Sequence, residues 1–115
     1  MAPQLIFGAL LFTIMHVLVW WGCNAQFIDG WSQKSALMLS VSLSLPITLL
    51  AFFASKNLYE ALDTQLWAVR FVAFGISYLV FPVLTWHFLG ESMLTAKTII
   101  CILLSCLIIY VQIRF

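Results

Sequence analysis

His16 is the one ionisable side chain set near the middle of a long apolar run, Leu5–Cys23. At that depth in hydrocarbon an ionisable group is costly, and it usually faces a bundle interior or a water-filled cavity. Thr13, His16 and Trp20 share a helical face at i, i+3, i+7 spacing. Two readings of His16 stand side by side. It is either a polar contact or proton site for a solute, or a neutral imidazole hydrogen-bonded to a neighbouring helix. Arg70 sits about one turn inside a later apolar run. Its stem can snorkel to the headgroups, or its guanidinium can guard the mouth of a cavity and pair an anionic solute or a nearby carboxylate. Ser40, Ser44 and Thr48 recur every four residues, a polar stripe that either lets helices approach closely or lines a path. The candidate cavity residues are therefore His16, Thr13, Trp20, Ser44, Arg70 and Tyr78. Thr13 and Ser44 would be hydrogen-bonding wall groups, and Trp20 and Tyr78 aromatic walls.

Other chemistries lack their residues. Membrane catalysis needs clustered acids, histidines or a nucleophile–base pair, yet Asp29, Glu60, Asp63 and Glu91 all fall in links between apolar runs. His87 follows Trp86 at the far end of its run, an ordinary place for belt residues. Cys23, Cys101 and Cys106 are odd in number and show no CxxC or Cys/His ligand spacing, so they read as buried free thiols. No enzyme activity, metal site or cofactor is expected. The net charge is +1 with five scattered basic residues, which argues against nucleic-acid binding, since phosphate recognition needs clustered Lys and Arg.

The elements that position these residues follow from composition. Of 115 residues 64% are hydrophobic and 8% charged, against roughly 25% charged in soluble domains. Segments near 20 apolar residues match a bilayer at about 1.5 Å rise per residue. Four such runs predict an all-α integral membrane bundle of four transmembrane helices, a single membrane domain over 1–115. The helices are expected at about 5–23, 35–54, 66–89 and 94–113. The first lacks a basic n-region before it and is longer than a usual signal h-region of roughly 7–15 residues, so it is expected to be retained. Trp20 and Trp21 read as an interfacial anchor. Pro46 and Pro82 predict kinks. Asn57–Thr64 fits a short interfacial helix within the second loop. Gly90 suits a helix C′ position, and Glu91 and Ser92 suit the start of the last helix.

Four spans put both termini and the second loop on one side. Lys56, Arg70, Arg114 and the α-amino group of Met1 then face Lys34 and Lys97. The positive-inside rule turns this small excess into a cytoplasmic lean for the N-terminus and second loop. So small a bias also permits insertion both ways round, giving an antiparallel homodimer, the two-chain version of an inverted repeat.

The stretch Phe88-Leu89-Gly90-Glu91-Ser92-Met93-Leu94-Thr95 follows a long helix containing Gly75 and precedes an apolar helix. It resembles the repeat ending of the drug/metabolite transporter superfamily, where a Leu-Gly-Glu link joins the last two helices. Small four-span members include the small multidrug resistance family and an uncharacterised bacterial family, which Trp20-Trp21-Gly22 also resembles. The resemblance implies a transporter or transporter subunit of the cell (inner) membrane. It would act as a homodimer on a small organic solute, with the lipid bilayer as its surroundings. Small multidrug resistance proteins carry a membrane-embedded Glu in the first helix. Here that helix has no acid, and His16 stands at about that position. Histidine is neutral or positive, never an anion for a cation to pair with. The other reading is a non-transporting accessory or scaffold membrane protein, since every polar intramembrane group also has a structural role available to it.

Overall fold

Each apolar run becomes one helix. The computed structural model describes residues 2–115 and contains α1 (Ala2–Asn24), α2 (Gln33–Ala61), α3 (Leu66–Leu89) and α4 (Ala96–Arg114). A 3-10 turn, Ala25–Phe27, follows α1, and no strand occurs among the described residues. All four helices are long and apolar enough to cross a membrane. The chain is an all-α, multi-pass membrane bundle. The α-amino group of Met1, counted above for orientation, lies outside the described residues.

Helix ends differ from the sequence expectation: α1 begins at Ala2 and α2 at Gln33, earlier than the expected 5 and 35. The second helix was expected to stop at Ala54, but it continues about two further turns through Ala61. Ser55–Glu60 contains no Gly or Pro to stop it. Ala54, Leu58 and Ala61 are buried along one face of this extension, so its polar residues mark a change of surroundings and not a change of backbone. Asn57–Thr64 is therefore not a separate helix. The turn to α3 is tight and uses left-handed backbone at Asp63 (φ 55°) and Thr64 (φ 57°). At the last link Gly90 ends α3 in the left-handed conformation, φ 74°, as a glycine C-cap does. The helix start lies later than expected. Thr95 is the N-cap of α4 and accepts the Thr98 N–H at 3.3 Å. Glu91 and Ser92 stay outside the helix, where the Ser92 hydroxyl accepts the Leu94 N–H at 3.1 Å.

Burial separates the helices into a centre and a periphery. In the most apolar window of α1 and of α3, 28% and 33% of residues are buried, against 6% in α2 and in α4. The core is Phe12 and Met15 of α1, Leu58 of α2 and Val69, Val72 and Ile76 of α3. Leu45 and Leu49 of α2 and Leu103 and Leu107 of α4 face outward, which suits lipid tails. Two glycines set the close approaches. A Cβ on Gly8 would come within 2.9 Å of Leu58, where α2 crosses α1. A Cβ on Gly75 would come within 2.6 Å of Ile109 Cγ1 and 3.4 Å of the Ser105 carbonyl, where α4 meets α3. Small residues at such crossings are the usual device in membranes, where dispersion contacts replace the hydrophobic drive.

Gly75 therefore limits how closely α4 can dock. Gly75→Ala should lower unfolding stability in detergent by about 1–3 kcal/mol, the usual range for overpacking. Ile109→Ala in the same chain should restore part of that loss. Additive losses in the double variant would show that the Gly75–Ile109 crossing does not hold α4.

Candidate functional site

His16 is brought into the bundle by the face of α1 that carries Phe12 and Met15. It is 7% exposed. Its Nε2 lies 3.0 Å from the Ala73 carbonyl oxygen of α3. A carbonyl only accepts, so Nε2 carries the proton and donates, and in the neutral ring Nδ1 keeps its lone pair. Phe12 stacks on the ring at 6.2 Å between centroids, and Phe81 meets it edge-on at 6.4 Å. No buried side-chain nitrogen or oxygen among the described residues is sealed without a partner. His16 makes one side-chain hydrogen bond, so its second nitrogen is not sealed away, and the residue lines a cavity.

That cavity, about 360 Å³, lies between three helices. Phe12, Met15 and His16 form its α1 wall, and Val69, Arg70 and Phe74 much of its α3 wall. The α2 wall is Ala51 and Ser55, small residues that leave the space unfilled. Ala73, where His16 bonds, is about 10 Å along the helix axis from the start of α3 at Leu66. Arg70 is exposed near that start. Its guanidinium carbon sits 4.4 Å from the centroid of the Phe74 ring, a cation–π contact one turn along the same helix. No carboxylate lines the cavity. Its polar equipment is thus a fixed positive charge at the rim, an imidazole at depth and one hydroxyl.

Of the residues singled out in the sequence, His16 and Arg70 share this cavity and the other four lie elsewhere. Thr13 donates to the Ala9 carbonyl at 2.8 Å and lines a separate groove with Ile76 and Val80. Trp20 is fully buried, and its indole N–H donates to the Thr85 hydroxyl of α3 at 2.9 Å. It is not an interfacial anchor. The aromatic cluster at that end is built around Trp21, whose ring meets Phe88 at 4.8 Å and Trp31 at 6.3 Å. Ser44 is exposed and donates back to the Val41 carbonyl. Tyr78 is exposed and lines a separate groove with Pro82, Thr85 and Thr98. The three cysteines are also exposed, not buried as expected. Among the described residues no cluster of His, Cys, Asp or Glu can hold a metal.

Sequence reasoning passed over Phe74, Ser55 and Thr85. Phe74 had a signal, its i+4 spacing from Arg70. Ser55 was hidden beside Lys56 in what looked like a loop, and nothing marked Thr85 as the partner of Trp20.

Trp20 and Thr85 should be energetically coupled across the α1–α3 seam. A double-mutant cycle with Trp20→Phe and Thr85→Val should give a coupling of about 0.6 kcal/mol, as for hydrogen bonds between membrane helices. Strictly additive losses would mean that this bond does not tie the helices together.

Compared with family models, curated proteins and solved structures, the chain matches none.

Proposed function

We propose that the chain is a small transporter or transporter subunit of the drug/metabolite type in the cell (inner) membrane. It acts as a homodimer on a small organic solute. The observation that carries this reading is the cavity of about 360 Å³ inside the span, with His16 buried at its wall and one ring nitrogen unsealed. Ligand sites combine apolar walls with a few placed polar groups in this way. Three helices close the cavity on only part of its perimeter, and the outward apolar faces of α2 and α4 offer a second copy a surface on which to complete a path. His16 contacts the solute, and Arg70 stands at the mouth.

An accessory or scaffold role is the second reading. It is favoured by the hydroxyls of Thr13, Ser44, Thr48 and Ser105, which all spend their O–H donors on their own helices.

Flux decides between them. Liposomes containing the purified protein would be loaded with labelled anionic, neutral and cationic organic solutes. The transport reading expects at least one to leave faster than from protein-free liposomes. His16→Ala should return that rate to background while its helical content by circular dichroism is unchanged. No protein-dependent flux, together with a stoichiometric partner copurifying from the native membrane, would establish the accessory role instead.

A further inference from the structure

The same cavity has a charge preference, an inference that rests on its being a solute site. Arg70 is the one charged residue in its lining, and no Asp or Glu joins it. Asp29, Asp63 and Glu91 lie in the links, and Glu60 is exposed in the last turn of α2. A lipophilic cation entering here would leave water for a rim that repels it and a depth that holds no anion. An anion meets the reverse. The guanidinium stays charged at any working pH and presents a planar fork of donors that matches a carboxylate. Its contact with the Phe74 ring uses no N–H donor.

His16 adds a second polar contact. Its bond to Ala73 fixes the proton on Nε2, so the open nitrogen of the neutral ring accepts a hydrogen bond. The partner that suits it is a hydroxyl. Between the two groups the walls include Phe12, Met15, Val69 and Phe74, which suit an apolar or aromatic body, and the Ser55 hydroxyl is the one further polar side chain in the lining.

We infer that the cavity binds a small amphiphilic carboxylate. Arg70 holds the carboxylate at the rim and the apolar body lies between α1 and α3; where the ligand carries a hydroxyl at its inner end, as an aromatic hydroxy acid does, His16 accepts a hydrogen bond from it. The ligand comes either from water, as an aromatic hydroxy acid, or from the bilayer, as a free fatty acid.

Binding in neutral-detergent micelles, by calorimetry, separates these cases without requiring flux. The probes are 4-hydroxybenzoate, its amide and amidinium analogues, benzoate and dodecanoate. At least one carboxylate should bind about tenfold or more tightly than both the amide and the amidinium. Arg70→Gln should abolish that preference, with unchanged helical content by circular dichroism reporting that the variant is folded. His16→Phe should weaken 4-hydroxybenzoate more than benzoate. A preference for 4-hydroxybenzoate identifies a water-borne ligand, and a preference for dodecanoate a membrane-borne one. Equal binding of all charge types, tighter binding of the amidinium, or no binding of either carboxylate overturns the inference. Carboxylate binding without liposome flux would retain the site and remove transport. Flux confined to a cation would retain transport and remove the proposed preference.

Discussion

Hydrocarbon gives a polar group no partner, so every donor and acceptor in the span must be met by the protein itself. The four hydroxyls of Thr13, Ser44, Thr48 and Ser105 meet this demand locally, by donating to carbonyls one turn back on their own helices. His16 and Trp20 have no such local solution. Both reach across to α3, to the Ala73 carbonyl and the Thr85 hydroxyl. Those two bonds join α1 to α3 along their common seam, and α1 and α3 are the helices with the most buried residues. The centre of the bundle is thus fixed where polar groups required partners.

Side-chain size determines what surrounds that centre. Gly8 admits Leu58, and Gly75 admits Ile109, which lets α2 close on α1 and α4 on α3 at those positions. Away from those points small residues face large ones and space opens. The cavity at His16 is such a place, because Ala51 and Ser55 of α2 do not fill the gap left by the tilted aromatic and aliphatic walls of α1 and α3.

The four helices were legible in the sequence because apolar runs of bilayer length have few other uses. Gly90 was legible for a similar reason, since a left-handed helix end favours glycine. The inner and outer faces were not. In a lipid-facing helix both sides are apolar, so hydrophobic periodicity says little about which side is buried. Trp20 therefore looked like an interfacial residue but is fully buried, Ser44 is exposed away from the cavity, and Tyr78 lines a different groove from His16. The end of α2 was misplaced because Ser55, Lys56 and Asn57 signal a membrane boundary, and the helix simply passes through it. His16 stood out because an ionisable group in hydrocarbon is rare enough to be informative by itself. Its partner, a backbone carbonyl, leaves no trace in residue types.

The claim on which the account turns is that His16 is both a structural donor to α3 and an open acceptor to the cavity. Nitrogen-15 solid-state NMR of the histidine ring in lipid bilayers tests it most directly, with His87→Gln removing the second signal and the pH high enough to keep the ring neutral. The account predicts a protonated, pyrrole-type Nε2, and a pyridine-type Nδ1 that exchanges magnetisation with water. A protonated Nδ1, or a ring with no contact to water at either nitrogen, would contradict it and leave His16 as a sealed packing residue.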